Sequence, residues 1–361
     1  MKAFKIIVSG GGTGGHIYPA VSIASLIKLQ QRDADILFVG AIGKMEMEKV
    51  PKAGFSIRGL WISGFQRSLS VRNFLFPLKI VVSLLQAFLI LKKFKPQVVL
   101  GTGGFASGPV LKVAQWLKIT TLIQEQNSFP GITNRLLGKK ADKIFVAYNG
   151  MEDYFPTSKI LITGNPVRQI LSDFFINSKE AKSFFNLDPE KKTLLIIGGS
   201  LGAKKINELV ALQIKFFKEF SLNILWQCGA MYFEVYKSYS SKDLVVKPFV
   251  YETEELYSAA DYIISRAGAG SLSELSCVGK PVILIPSPNV TANHQFHNAM
   301  SFAKVNAALV IEEKDLDKSF QDIFTKLVTD TSLQKEMCFQ LKALARPNAT
   351  KNIVNEIMEL I

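Results

Sequence analysis

The chain of 361 residues is poor in cysteine and histidine, with three of each, and has no apolar segment of membrane-spanning length. Cys228, Cys277 and Cys338 lie far apart in the sequence, which argues against a disulfide framework and against a cysteine-based zinc site. The longest apolar stretch, 80–91, would span about 18 Å as a helix, well short of a hydrocarbon core of ~30 Å. The first residues also lack the apolar core of a signal peptide. We therefore expect a cytoplasmic protein without a transmembrane helix.

Acidic residues are scarce in the first half of the chain. Residues 1–163 contain 21 Lys and Arg against 8 Asp and Glu, whereas residues 164–361 contain 22 of each. The formal net charge of +13 therefore resides entirely in the N-terminal half. Such a distribution suits a nucleic acid, an anionic membrane face or a polyphosphate ligand, whereas general enrichment in lysine would spread the excess evenly.

Short apolar or β-branched segments alternate with helix-length stretches along the whole chain, which is typical of βα units around a parallel sheet. The pattern predicts an α/β protein with two Rossmann-like domains, joined near 164–166, where a strand ends in Gly-Asn-Pro. Each domain opens with a strand that leads into a glycine-rich loop, at 10–16 and 198–203. The predicted strands are 4–8, 36–39, 97–100, 120–123, 143–147 and 159–163 in the first half, and 193–197, 222–227, 244–247, 261–265, 281–285 and 307–311 in the second.

The region around the apolar stretch 80–91 departs from this alternation. The stretch itself suits a buried helix that covers a sheet. Phe74, Leu75 and Phe76 precede it among basic side chains, and Lys79 follows them. This mixture of apolar and cationic residues suits a contact with anionic lipid headgroups.

The first glycine-rich loop, GGGTGGH at 10–16, follows a strand and precedes a helix that begins near Tyr18 and Pro19. Glycines let backbone N–H groups approach a ligand, and a helix N-terminus favours negative charge. The spacing differs from the dinucleotide pattern G-x-G-x-x-G. His16 ends the loop at a position suited to a general base, although a single loop histidine is often incidental.

Further loops with polar residues or glycines follow other predicted strands. GTGGFASGP at 101–109 and Glu125-Gln126-Asn127 belong to the first half, and SRAGAGSLSE at 265–274 to the second. Because open α/β sheets bind ligands at the carboxyl ends of their strands, we expect these loops to line binding sites.

Two polar groups of the second half have alternative interpretations. Ser271 is predicted to cap a helix, and Glu274 three residues later either completes a capping box or accepts hydrogen bonds from ribose hydroxyls. The amide-rich segment Asn293-His294-Gln295 could bind sugar hydroxyls.

These motifs, taken in order from residue 10 to residue 295, resemble those of the MurG family of peptidoglycan N-acetylglucosaminyltransferases. The resemblance implies a GT-B fold, in which two Rossmann-like domains face a cleft. It implies inverting transfer of N-acetylglucosamine from UDP-N-acetylglucosamine to the C4 hydroxyl of the MurNAc residue of lipid I, undecaprenyl-pyrophosphoryl-MurNAc-pentapeptide. The products would be lipid II and UDP, and the enzyme would serve peptidoglycan synthesis, cell shape and cell division. The motifs are GGGTGGH, GTGGFASGP, EQN, GNPVR, GGSLGA, SRAGAGSLSE and NHQ.

The same resemblance implies that the two domains have different roles. Residues 1–163 with about 342–361 would form an acceptor and membrane-binding domain, and 164–341 a UDP-sugar donor domain. A last helix at about 349–361 would cross back to the first domain. The enzyme would lie peripherally on the cytoplasmic face of the bacterial inner membrane.

The resemblance also assigns residues to the reaction. His16 would be the general base, and Gly103, Gly104 and Asn127 would lie on the acceptor side. In the donor site, Ser200 would meet the pyrophosphate, Glu274 the ribose, the backbone of Val250 the uracil and Gln295 the sugar, with Arg168 near the nucleotide. Gln124 and His294 depart from residues often found in the family. The full donor set is Thr13, Gly14, Gly15, Asn127, Arg168, Ser200, Val250, Ala269, Gly270, Ser271, Leu272, Ser273, Glu274 and Gln295.

Beyond the two substrates, the expected partners are anionic membrane lipids and not a nucleic acid. No cofactor is expected. We predict independence of metal ions because neither D-x-D motif lies at a plausible metal site: residues 33–35 precede a predicted strand, and residues 315–317 lie in a charged stretch far from the glycine-rich loops. The expected membrane contacts are Phe74, Leu75, Phe76, Lys79, Trp116 and Lys140.

Other functions share parts of this pattern. A related GT-B enzyme with another lipid acceptor, such as a diacylglycerol galactosyltransferase, would have the same fold and loops. An NAD-dependent oxidoreductase would have Rossmann halves, but it needs an acid at the end of its second strand, which reads ILFVGAIG here. A non-enzymatic membrane scaffold would not need so many polar or glycine-rich loops at the ligand edges of two sheets.

Overall fold

The structure is a computed structural model that describes residues 4–64, 75–167, 176–199, 201–290 and 293–360. The chain divides into two compact units, one formed by Met1–Val167 with Pro347–Ile361 and the other by Arg168–Arg346. The predicted boundary at 163/164 lies four residues before this division.

The first unit is built on a parallel sheet with the strand order β3-β2-β1-β4-β5-β6-β7. Its strands are β1 Lys5–Gly10, β2 Asp35–Ala41, β3 Ser56–Leu60, β4 Val98–Gly103, β5 Thr120–Glu125, β6 Lys143–Val146 and β7 Ile160–Ile162. The helices before residue 168 are α1 Gly14–Gln30, α2 Glu46–Lys52, α3 Phe76–Phe94, α4 Ser107–Trp116 and α5 Ile132–Gly138.

Both faces of the first sheet are buried, as expected when helices cover a parallel sheet. Alternate residues of β1 enter different cores because successive side chains of a strand point to opposite faces. Ile6 and Val8 pack in a cluster with residues of α1, and Ile7 packs in a cluster with residues of α3 and α4. The central strands are therefore almost wholly apolar up to their carboxyl ends.

The second unit repeats the same strand order, β10-β9-β8-β11-β12-β13, again with all strands parallel. Its strands are β8 Thr193–Ile197, β9 Asn223–Gln227, β10 Leu244–Lys247, β11 Tyr262–Ser265, β12 Val282–Leu284 and β13 Leu309–Val310. Its helices are α6 Ser178–Phe184, α7 Lys204–Glu219, α8 Phe233–Tyr236, α9 Thr253–Ala259, α10 Ala269–Val278, α11 His294–Ala303, α12 Leu316–Thr329 and α13 Thr331–Leu344.

The last helix, α14 Ala349–Met358, belongs to the first unit although it follows the second in the sequence. Its buried residues Ile353, Val354 and Ile357 join the core cluster that contains α1. Glu356 forms an ion pair with Lys143 at the start of β6.

Two Rossmann-like parallel sheets confirm the predicted fold class, but the strand prediction has two errors. Strand β3 was missed: its alternating exposure and the residues Arg58 and Gly59 give it no apolar signal, because it lies at the edge of the sheet. The predicted strand 307–311 contracts to the two residues of β13, also at an edge. No helix in the described part of the chain has the length and hydropathy needed to cross a membrane.

Candidate active site

The order of the first sheet reverses between β1 and β4, and their carboxyl-end loops meet there. Gly11 N donates to Gly103 O at 3.2 Å. Gly104 has φ +90° and lies against the same loop, since a Cβ atom at this position would come within 2.3 Å of Gly11 O. The strand order makes this reversal point the expected ligand crevice of the first unit.

His16 lies in the first turn of α1, directly above this crevice. Its Nδ1 atom is 2.8 Å from Gly11 O, and Thr13 Oγ1 lies at 3.4 Å from the same nitrogen. A carbonyl oxygen can only accept a hydrogen bond, so Nδ1 carries the proton and Nε2 of the neutral ring has the free electron pair. Nε2 faces Gly103, where a Cβ atom would lie 3.0 Å away. The predicted residues Thr13, His16, Gly103 and Gly104 therefore lie together.

The start of α1 also brings Gly14 and Gly15 to this edge. The first N–H groups of a helix have no acceptor within the helix, and its dipole favours a negative charge at this end. The predicted role of these glycines in anion binding is compatible with their position.

A buried carboxylate that sequence reasoning missed supports this loop. Glu46, at the start of α2, is 1% exposed and accepts hydrogen bonds from Gly12 N at 2.8 Å and Ala41 N at 2.9 Å. In the sequence nothing distinguishes Glu46 from the exposed Glu48 two residues later.

At the end of β5, Glu125 organises the loop that contains Asn127. It is 1% exposed, and its carboxylate accepts from Asn127 N at 3.0 Å, Gly131 N at 3.1 Å and Asn134 Nδ2 at 2.8 Å. Glu125 therefore stabilises the conformation of the loop, whereas Asn127 is half-buried at the surface.

A chain of amides joins the ends of β4 and β5 to the last residues of the first unit. Gln126 Nε2 donates to Thr102 O at 2.8 Å, Gln124 Nε2 donates to Asn165 Oδ1 at 3.0 Å, and Asn165 Nδ2 donates back to Gln126 O at 3.0 Å. Gln124, which departs from the family pattern, is therefore a buried structural residue. Arg168, a few residues further on, lies outside the described residues.

In the second unit, Gln227 connects two of the predicted donor loops. Its Nε2 donates to Gly199 O at 3.4 Å, and its Oε1 accepts from Val250 N at 3.0 Å. This places the glycine-rich loop after β8 next to the backbone of Val250 after β10. Ser200 lies outside the described residues.

Burial raises the pKa of Cys228, the residue after Gln227, which keeps this thiol protonated and unreactive near neutral pH.

The second predicted loop begins α10, and here the capping prediction is wrong. The helix starts at Ala269, two residues before the predicted cap, because Gly268 has an extended backbone and its carbonyl accepts from Leu272 N. Ser271 therefore lies inside the first turn, and Glu274 is not part of a capping box. Its Oε2 instead accepts from Tyr257 OH at 3.0 Å.

The first turn of α10 lies at the end of β11, beside β8, where the order of the second sheet reverses. The predicted donor residues Ala269, Gly270, Ser271, Leu272 and Ser273 thus occupy the start of a helix at the crevice of the second unit. A helix N-terminus at this place suits a phosphate group.

Gln295 lies at the same edge, in the first turn of α11 after β12. Its Oε1 accepts from Ser287 N at 2.9 Å. Arg266, at the end of β11, donates to Ile285 O at 3.0 Å and pairs with Glu313. Arg266 thus ties the end of β11 to the segments after β12 and β13, and this pairing was not anticipated.

The predicted membrane residues that the structure describes lie at the start of α3, at the end of α4 and after α5. Leu75 and Trp116 are 48% and 59% exposed, Phe76 is half-buried, and Lys140 is exposed. Lys79 Nζ donates to Ser63 Oγ at 2.9 Å. Phe74 lies outside the described residues.

The apolar helix α3 is buried on one face, so the interpretation of 80–91 as a buried helix that covers the sheet holds for that face alone. Ser83, Ala87 and Leu91 face the core. Among the described residues, the other face exposes large apolar side chains at helical spacing. These are Leu78, Val81, Leu85, Phe88 and Leu89.

The comparisons with known proteins cover the whole chain. The N-terminal domain of glycosyltransferase family 28 matches residues 6–146, and the C-terminal domain of this family matches residues 193–353. A protein of Flavobacterium psychrophilum named UDP-N-acetylglucosamine–N-acetylmuramyl-(pentapeptide) pyrophosphoryl-undecaprenol N-acetylglucosamine transferase is 52% identical, over 100% of this chain and 99% of that protein. A protein of the same name from Christiangramia forsetii is 51% identical, over 100% and 98% of the two chains.

Among solved structures, MurG of Acinetobacter baumannii superposes with a TM-score of 0.80 at 29% identity, over 99% of both chains. A UDP-N-acetylglucosamine 2-epimerase superposes with a TM-score of 0.63 at 14% identity, over 99% of this chain and 96% of that one, which shows a shared fold alone.

Proposed function

Because the chain belongs to the MurG family of glycosyltransferase family 28, we propose that it transfers N-acetylglucosamine from UDP-N-acetylglucosamine to lipid I with His16 as the general base. It is a UDP-sugar-dependent glycosyltransferase with a GT-B fold, and it acts in peptidoglycan synthesis. The products are lipid II and UDP.

The observation that carries the role of His16 is the hydrogen bond from Nδ1 to Gly11 O at 2.8 Å. This bond leaves the electron pair of Nε2 directed at the loop of Gly103 and Gly104, where the acceptor hydroxyl would lie. In the reaction, Nε2 takes the proton of the C4 hydroxyl while its oxygen attacks the anomeric carbon of the donor sugar. The bond from this carbon to the diphosphate oxygen breaks, UDP leaves with the electron pair, and the configuration inverts.

For the donor, the second unit supplies groups suited to a nucleotide sugar. The helix start at Ala269–Val278 would stabilise the negative charge that develops on the leaving diphosphate. The carboxylate of Glu274 would accept hydrogen bonds from ribose hydroxyls, and the amide of Gln295 would bind the sugar. Val250 would meet the uracil, and Ser200 and Arg168 would complete the site from segments outside the described residues.

The first unit would then bind the acceptor and the membrane. The positive excess of the chain lies in residues 1–163, which supports attraction to anionic lipids and to the pyrophosphate of lipid I. The exposed apolar face of α3 supports insertion at the lipid interface, since a large exposed apolar patch usually marks an interaction surface. Basic side chains adjoin this face, with Lys92 Nζ 5.7 Å from the Phe88 ring and Lys112 Nζ 5.6 Å from the Trp116 ring. The protein would thus lie peripherally on the cytoplasmic face of the inner membrane.

The proposal is tested by UDP release from UDP-N-acetylglucosamine with and without lipid I in detergent. In His16→Ala we expect lipid I-dependent release to fall by roughly a hundredfold to ten-thousandfold, the usual contribution of a general base, while donor binding persists. His297→Ala, the same change at an exposed position on α11, is the control and should retain full activity.

Undiminished release in His16→Ala would refute the assigned base. Donor binding without lipid I-dependent release in the unaltered protein would instead point to another lipid acceptor.

A further inference from the structure

We propose that Glu46 is a positioning residue that sets the tautomer and orientation of His16 through a single peptide group. The inference rests on the proposed role of His16 as the base and adds a residue to the same machinery.

The geometry forms a continuous relay of hydrogen bonds. Gly12 N–H and Gly11 C=O are the two ends of one peptide group. The N–H end donates to Glu46 Oε2 at 2.8 Å, and the C=O end accepts from His16 Nδ1 at 2.8 Å. The carboxylate and the imidazole are therefore joined through one amide.

The surroundings of Glu46 indicate that its carboxylate has a role beyond packing. The side chain is 1% exposed, and among the residues that the structure describes no Lys or Arg pairs with it. A buried charge is costly unless hydrogen bonds compensate it, and here two backbone N–H groups, of Gly12 and Ala41, do so. Gly11 leaves the room for this contact, because a Cβ atom at Gly11 would lie 2.2 Å from Glu46 Cδ.

The physical effect follows from the polarity of the amide group. A carboxylate that accepts from the N–H polarises the amide and makes its carbonyl oxygen a stronger acceptor, since hydrogen bonds in a chain strengthen one another. The proton of neutral His16 is then held on Nδ1, and Nε2 stays available for the acceptor hydroxyl. In Ser-His-Asp enzymes a carboxylate bonded directly to Nδ1 has the same orienting role; here one peptide group lies between them.

The test compares Glu46→Gln with Glu48→Gln. The second change removes the same charge from the same helix, but Glu48 is 62% exposed and pairs with Lys52. Glutamine at 46 keeps one acceptor oxygen but turns an NH2 group toward the second N–H donor. We expect kcat for lipid I-dependent UDP release to fall by roughly tenfold to a hundredfold, the range typical of outer partners that orient a metal-binding histidine. The KM for UDP-N-acetylglucosamine should stay within about twofold, since a base acts on the acceptor proton.

A spectroscopic readout separates orientation from general damage. The chain has three histidines, so the ring ¹⁵N resonances of His16 can be assigned by their loss in His16→Ala. We expect the Nδ1–H tautomer in the unaltered protein and in Glu48→Gln, and a mixture of tautomers in Glu46→Gln. If Glu46→Gln does not fold, the same measurements are made on Glu46→Asp, which keeps the charge but draws it back by one methylene group, and an intermediate loss is expected.

Wild-type kcat and an unchanged tautomer in the variant at 46 would overturn the relay while leaving His16 as the base. Full activity of His16→Ala would instead remove the base itself, whatever Glu46 does, so the two failures are distinguishable.

Discussion

At the residue scale, Asp261 illustrates how a charge is held inside this chain. Its carboxylate lies 2.9 Å from both Lys182 Nζ and Lys192 Nζ and accepts from Thr193 N at 2.9 Å. Burial raises the pKa of Asp261, but the hydrogen bonds from the two lysines and from the Thr193 N–H outweigh burial and lower the pKa below its ordinary value. The ionised form is therefore the stable form in the folded unit.

We predict that Asp261→Asn lowers the free energy of unfolding of the second unit by about 3 kcal/mol near pH 7, because it removes the anionic partner of the buried Lys182. Since the folded-state pKa lies below the unfolded value of about 3.9, this stabilisation is fully present above that pH. It is lost as the pH falls through the folded-state pKa. Denaturation curves from pH 7 to pH 3 should therefore show a constant difference from the unaltered protein at first and convergence below about pH 4.

Glu190→Gln is the control for Asp261→Asn, because Glu190 is 72% exposed and pairs with a similarly exposed Lys179. Exposed pairs contribute about 0–1 kcal/mol. An equal loss in both variants would contradict the importance of the buried cluster.

Residue identity and position in the sequence predicted some of the site residues and not others. His16 was predictable because it ends a glycine-rich loop between a strand and a helix. Glu46 was not, because its importance comes from backbone N–H groups of Gly12 and Ala41, which no pattern of side chains encodes. Ser271 was misassigned because the preceding glycine and alanine allow the helix to begin earlier.

At the scale of single elements, helix α3 has an apolar sequence that predicts burial but a largely exposed environment. Its apolar residues surround the helix axis, so periodicity favours burial, yet only one face packs on the sheet. The exposed face, with Leu85 at 60% and Phe88 at 40% exposure, supports the proposed contact with a lipid surface.

We predict that the double variant Leu85→Ser and Phe88→Ser binds vesicles containing anionic phospholipid at least about tenfold more weakly. Burying a large apolar side chain contributes about 1.5–3 kcal/mol, and each factor of ten requires about 1.4 kcal/mol. Co-sedimentation with the vesicles measures the effect. Leu212→Ser, at a position of the second unit that is 74% exposed, should bind like the unaltered protein. Unchanged binding of the double variant would exclude this face as the membrane contact.

At the scale of the whole molecule, the chain leaves its first unit at Val167 and returns to it at Pro347. Helix α14 then completes a core whose other buried residues come from the segment between Phe4 and Phe145. The folding of the first unit therefore depends on the last residues of the chain.

We predict that Ile357→Ala destabilises the first unit by about 2–5 kcal/mol, because the side chain is fully buried beside α1. Hydrogen exchange should accelerate in α1 and leave α12 unchanged. Ile132→Ala, at a residue 67% exposed, should alter stability by no more than about 0.5 kcal/mol. Faster exchange in α12 instead of α1 would contradict the assignment of α14 to the first core.

The amino-acid sequence was sufficient for the fold class, the repeated strand and loop plan, and most of the loops at the ligand edges. These follow from local signals: apolar runs for buried parallel strands, and glycines where backbone must approach backbone or a ligand. The edge strand β3 was not predicted and the edge strand β13 was predicted too long, because the extent of an edge strand depends on its neighbour more than on its own composition.

Two further features depended on distant parts of the chain meeting in space. Among the described residues, packing covers one side of α3 and leaves large apolar side chains exposed on the other. The relay from Glu46 to His16 exists because the side chain of Glu46, at the start of α2, reaches a peptide group of the loop before α1, 34 residues earlier in the chain. Such contacts arise from tertiary packing. A hydrogen bond between a side chain and a distant backbone group cannot be recognised from the amino-acid sequence.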